Sequence, residues 1–217
     1  MMNGKQRQWI QILAALTMLI DHVGAVFFPA VIGFRAIGRL SFPLFAFGIA
    51  QGVMYTHSFW RYLGRILLAA AVSQPLYWLL FGKNQANPLF MLAWGAAALY
   101  FWQKETAEGR LAAMVLLAAS YWAKMSYGWY GVATIVVFGL YEKRQVLCFY
   151  GQMGLTVLYG FMTGAWIQMI SLFSFGVLQG AGRTEKTGFA FRLPRYFFYV
   201  FYPAHLFVLL AVKRIWG

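Results

Sequence analysis

Asp21 and His22 stand together deep in the first apolar run of the chain, ILAALTMLIDHVGAVFF, and Asp21 is the only aspartate in 217 residues. An ionisable group in hydrocarbon costs at least about 2.5–3.5 kcal/mol on insertion scales, so such residues normally face a bundle interior and serve proton, ion or catalytic paths. Neighbours on a helix point about 100° apart, so Asp21 cannot orient His22 directly and each needs a partner on another helix. The bland alternative is an interfacial pair snorkelling at the outer end of the run. Val23 to Phe28 continue the apolar stretch beyond them and count against it.

His205 is the second histidine set in apolar sequence, in RYFFYVFYPAHLFVLL. Pro203, two residues before it, removes one helical donor and frees a carbonyl about a turn earlier, near Tyr199, which opens a polar notch beside Tyr202 and His205. The notch suits a substrate or a proton relay; a packing histidine bonded to a nearby carbonyl is the alternative. Arg39 lies in RAIGRLSFPLFAFGIAQG with Pro43 four residues on. Turned inwards it neutralises Asp21, and an Asp21–Arg39 ion pair is expected because a buried carboxylate requires a partner. Removing either partner is then destabilising.

Arg61 and Arg65 are one helical turn apart in FWRYLGRIL, with Tyr62 between them. Two guanidinium groups on one face suit a phosphate-bearing ligand, and they equally suit a plain topology signal. His57, between Thr56 and Ser58, reads as a solvated interfacial residue. Gln51, Gln74 and Asn87, in or beside apolar runs, read as hydrogen bonds between helices.

The elements that must position these groups are membrane helices. The composition is 62% hydrophobic, 20% aromatic and only 11% charged, where a soluble domain has about 25% charged residues. Eighteen Lys plus Arg against five acids, formal net charge +13, would suggest a nucleic-acid surface in a soluble protein. Here the cations fall in short gaps between apolar runs, where the positive-inside bias accounts for them. One cysteine, Cys148, excludes an intramolecular disulfide and a Cys-based zinc site, and no metal site is expected.

Apolar runs bounded by cations, Gly, Pro or polar clusters predict about nine spans: 9–28, 37–56, 62–81, 88–103, 110–124, 128–141, 145–162, 165–181 and 196–215. A crossing helix needs about 20 residues, so 110–124 and 128–141 are short, either steep helices or re-entrant segments shielded by neighbours. With the N-terminus inside, cations divide about two to one in favour of the cytoplasmic loops, which include the basic stretch 182–195. The expectation is an all-α polytopic helix bundle, one domain over 1–217, N-terminus cytoplasmic, with no cleavable signal, in the bacterial cytoplasmic (inner) membrane.

GxSxG, HExxH, a glycosidase carboxylate pair and a Gly-rich phosphate loop followed by Lys are all absent. The strings MLIDHVGAVFFP, RAIGRLSFPLFAFGIAQG, FWRYLGRILLAAAVSQPLYWLLFGKNQANPLFMLAWG, YGWYGV and RYFFYVFYPAHLFVLL, in that order along nearly the whole chain, resemble the TraX family. TraX proteins are membrane acetyltransferases named for N-terminal acetylation of conjugative pilin. They are grouped with transmembrane acyltransferases such as the heparan glucosaminide N-acetyltransferase and the polysaccharide O-acyltransferases.

The resemblance implies transfer from cytosolic acetyl-CoA to an amine or hydroxyl acceptor, peptide or glycan, on the far side of the bilayer. It implies that His22 is the catalytic histidine with Asp21 its neighbour, that Arg39 and Pro43 match a GR-x-x-FP element, and that Tyr202, Pro203 and His205 match a YPxH element. The family pattern has a Thr near the fourth span where this chain has Phe90 and Met91. A thioester is already activated, so transfer needs a base, an oxyanion donor and exclusion of water. His22 is the preferred base, His205 or Tyr202 polarises the carbonyl or relays a proton, and Arg39, Arg61 and Arg65 are the expected CoA-binding residues, with the CoA phosphates near Arg61, Arg65 or the 183–195 loop. Direct transfer is expected, with an acetyl-His22 intermediate as the alternative. A proton-coupled transporter using Asp21, His22 and His205 as a relay, and a non-catalytic membrane partner of a secretion machine, are the rival readings.

Overall fold

The computed structural model describes residues 4–82, 85–123, 125–183, 194 and 196–216. Every extended element among the described residues is a helix: α1 Gly4–Phe27, α2 Ile32–Gly38, α3 Ser41–Tyr55, α4 Phe59–Phe81, α5 Pro88–Trp102, α6 Ala107–Trp122, α7 Gly128–Phe138, α8 Gln145–Thr163, a 3-10 segment Trp166–Phe173, α9 Ser174–Arg183 and α10 Phe197–Trp216. Lys83, Lys124 and most of the expected basic loop 183–195 lie outside the described residues.

Where the sequence predicts nine spans, five stretches among the described residues are long and apolar enough to cross a membrane: Gly4–Phe27, Ile32–Tyr55, Phe59–Phe81, Gln145–Thr163 and Phe197–Trp216. Of the two runs that are short in the sequence, 128–141 is enclosed by protein, whereas 110–124, which forms α6, keeps Leu111, Met114 and Val115 more than half exposed. α5 is apolar all round with no preferred face, the pattern of a helix enclosed by others, and it packs against α3, α4, α6 and α7. α7 has 11 residues, about 16 Å of rise against about 30 Å of hydrocarbon. It is buried along nearly its whole length, from Tyr130 to Ile135 and again at Phe138. The two helices meet closely: a Cβ at Gly95 would collide with Ile135, and one at Gly131 with Met91.

The predicted second span, 37–56, is broken. Pro43 cannot donate to the carbonyl four residues back, which is that of Arg39, and the helix divides there into α2 and α3. The predicted span 165–181 is likewise two pieces, a 3-10 stretch followed by α9.

The main core is built from α1, α3, α5, α7 and α9, with Phe47, Met91, Leu99, Tyr130, Phe138 and Leu178 among its buried side chains. A second cluster of Met18, Leu80, Tyr202, Leu206 and Leu209 joins α10 to α1 and α4. Outward faces carry Leu68 and Val72 on α4, Val115 on α6, Phe161 on α8 and Phe207 on α10, all more than half exposed. Apolar surface on this scale would be a liability in water and is the surface a bilayer covers.

Polar residues tie α4 to α5 at the point where the sequence expects hydrogen bonds between helices. Asn87 caps α5 by accepting from the Leu89 N–H, 3.0 Å. Its Nδ2 donates to the Ala70 carbonyl and its N–H to Gln74 Oε1, both at 2.8 Å. Asn87→Ala removes the cap and the inter-helix bond to the Ala70 carbonyl. The expected loss is about 2–4 kcal/mol, read as a lower melting temperature in detergent; an unchanged melting temperature would count against this tie.

Candidate functional site

α1 and α10 bring the two buried histidines together. His22 Nδ1 lies 2.8 Å from His205 Nε2, and His205 Nδ1 lies 2.9 Å from the Phe201 carbonyl oxygen. The ring centroids are 5.0 Å apart with the planes within 14°. That separation is what two rings joined edge to edge through a 2.8 Å nitrogen contact produce, so the contact is an in-plane hydrogen bond rather than a face-to-face stack.

The carbonyl sets the tautomers. A carbonyl only accepts, so His205 carries its proton on Nδ1, its Nε2 is the acceptor, and His22 donates from Nδ1. With both rings neutral, His22 Nε2 is left with a free lone pair. His22 lines a cavity of about 610 Å³, so its lone pair belongs to the residue that faces the space.

Asp21 lines the same cavity but takes its own partner. Arg35 Nη1 donates to Asp21 Oδ1 at 3.0 Å, which corrects the expected Asp21–Arg39 ion pair. Arg35 and Arg39 are one turn apart and both line the cavity, but α2 ends before Arg39 and leaves Arg35 as the residue on the carboxylate. The approach is tight: a Cβ at Gly38 would collide with the Asp21 side chain. Arg39 instead donates to Gln168 Oε1 at 3.3 Å and to the Tyr127 hydroxyl at 3.5 Å.

Tyr127 holds a left-handed backbone, φ 62, just before α7, a conformation that costs a non-glycine residue about 1 kcal/mol or more. Its ring stacks on Phe42 with centroids 4.2 Å apart. Burial pushes the Tyr127 hydroxyl up to about 12, so it stays protonated.

A second cavity, about 520 Å³, runs along the other half of α1, from Arg7 to Met18. Met18, Phe45, Leu89, Leu92 and Tyr202 line both cavities. The first cavity takes its walls from the C-terminal end of α1, and the second from the N-terminal end of α1 with the α3–α4 turn at His57. The two therefore extend toward opposite ends of the bundle and meet at a thin wall.

Tyr202 stands in that wall. It is 3% exposed, its hydroxyl has no hydrogen-bond partner, and its ring meets His205 edge-on at 5.3 Å. Arg65 lines the second cavity and lies over the Tyr199 ring. Arg61 is exposed and lines neither cavity, and Arg39 belongs to the first cavity rather than the second.

Arg7, which the sequence reads only as a topology cation, reaches the mouth of the second cavity over the Tyr55 ring at 4.3 Å. Tyr55 in turn donates to Glu142. The Nε atoms of Arg7 and Arg65 are buried without a hydrogen-bond partner. Among the described residues no group of three or more His, Cys, Asp or Glu is placed to hold a metal ion.

The family described as TraX protein matches residues 6–213. The chain is also similar to the probable fimbrial assembly protein FimC, serogroup H1, of Dichelobacter nodosus, at 26% identity over 94% of each chain. No solved structure matches it.

Proposed function

We propose a function from one premise: this chain belongs to the TraX family. It is a membrane acetyltransferase that takes an acetyl group from acetyl-CoA in the cavity beside Arg7 and Arg65 and passes it to an acceptor amine or hydroxyl in the cavity beside His22. The observation that carries the reading is the junction of two opposed cavities at Tyr202, with a hydrogen-bonded histidine pair directly behind it.

Arg7 and Arg65 bring two guanidinium groups to the second cavity, which fits an anion such as a CoA phosphate. The acceptor's amine or hydroxyl attacks the thioester carbonyl, the C–S bond breaks as the tetrahedral intermediate collapses, and CoA leaves as the thiol with the proton that His22 has taken from the acceptor. His22 Nε2 takes the acceptor's proton, and the charge that forms on the ring is shared through the Nδ1–H bond to His205. The unpartnered Tyr202 hydroxyl is the donor available to a developing oxyanion at the wall. The apolar wall residues Met18, Phe45, Leu89 and Leu92 exclude water from the reacting atoms.

With the N-terminal end of α1 in the cytoplasm, the two cavities would serve a cytosolic donor and an external acceptor. The relative's name as a fimbrial assembly protein favours the α-amine of a pilin-like peptide over a glycan.

The test is purified protein in vesicles with radiolabelled acetyl-CoA and a peptide bearing a free α-amine. Label should move to that peptide and not to the same peptide with its amine blocked. Protein that neither binds CoA nor labels a peptide or glycan acceptor would overturn the proposal.

A further inference from the structure

Gln51 on α3 is 4% exposed, and neither its Nε2 nor its Oε1 has a hydrogen-bond partner. Three of the other buried glutamines have at least one end of the amide met. Gln74 bonds to Gln85 and Asn87, Gln152 donates to the Tyr130 hydroxyl, and Gln168 bonds to Arg39 and Tyr130. A buried primary amide with both ends unmet is costly, and native proteins rarely keep one without a use.

Gln51 lines the second cavity, so its side chain stands beside space that a ligand can fill, with both amide groups covered and unmet in the ligand-free protein. Its position along α3 is between the two ends of that space. Phe45, at the wall shared with the first cavity, is six residues before it, about 9 Å at the helical rise, and Tyr55, near the mouth, is four residues after it, about 6 Å.

We propose that Gln51 recognises a secondary amide in the middle of an extended ligand: the pantetheine arm of CoA, with its phosphate end toward Arg7 and Arg65. The inference rests on the acetyl-CoA reading above. A secondary amide presents one carbonyl and one N–H, which are the complement of the Gln51 amide. An ester or ether meets only one of the two groups, and a lipid acyl chain meets neither. The same side chain therefore discriminates against the hydrocarbon that surrounds the bundle.

The test is calorimetric binding to the full chain in detergent, with CoA and with adenosine bisphosphate, which has the nucleotide end but no pantetheine arm. Gln51→Leu is expected to weaken CoA binding about tenfold or more, to leave adenosine bisphosphate binding unchanged, and not to lower the melting temperature of the ligand-free protein. Gln51→Met, of similar length and flexibility, should behave the same way and guards against a packing defect in the leucine variant.

Wild-type affinity for CoA in both variants would overturn the role of Gln51 and leave the proposed function standing. Loss of both ligands together with a lower melting temperature would make Gln51 structural and overturn it equally. Wild-type protein that binds no CoA would overturn the acetyl-CoA reading itself, and the role of Gln51 with it.

Discussion

His22→Ala is expected to lower acetyl transfer about a hundred- to ten-thousand-fold, the range a positioned general base is worth, while CoA affinity stays within about twofold. The split follows from placement. His22 lines the cavity assigned to the acceptor and not the one assigned to CoA, so its loss removes the base without touching the donor's seat. A variant that keeps more than a tenth of the wild-type rate would sink His22 as the base. Asp21 does not share this role: its carboxylate is committed to Arg35, so substitutions there act first on the pairing of α1 with α2.

His205→Ala is expected to reduce kcat about a hundredfold with little change in KM for acetyl-CoA, because His205 acts through His22 rather than on substrate. Its Nε2 accepts the His22 Nδ1–H and so keeps the lone pair on Nε2 of His22. Without that acceptor the His22 ring is free to rotate and to exchange tautomers. His205→Gln separates positioning from packing, since the glutamine carbonyl can accept the same Nδ1–H. Recovery of a substantial part of kcat in the glutamine variant is the expected result. Equal loss in both variants, with equal loss of melting temperature, would make His205 a packing residue only.

The groups that these predictions concern were legible in the sequence because each is a polar interruption of an apolar run, a signal that exists in one dimension. Asp21, His22, His205 and Tyr202 all stand out in that way. The helical argument that Asp21 and His22 need separate partners on other helices also followed from local geometry, and the structure supplies Arg35 and His205.

The choice within each arginine pair was not legible. Arg35 and Arg39, like Arg61 and Arg65, differ by one turn, about 5.4 Å along the helix, and lie on the same face. In the first pair the break before Pro43 decides which guanidinium meets the carboxylate. In the second, one further turn into the bundle carries Arg65 to the cavity while Arg61 stays exposed. Arg7 and Gln51 carry no local mark that separates a ligand contact from a topology cation or a helix-to-helix bond.

The membrane class, the position of most helices and the buried titratable residues could be read from the order of residues alone, because hydropathy and helical period act over a few turns of chain. The enclosure of α5 and α7, the pairing of side chains and the meeting of two cavities at Tyr202 emerge from the assembled bundle. Those outcomes depend on how helices distant in sequence are rotated and set against one another, and apolar composition is the same for a face turned to lipid and a face turned to protein.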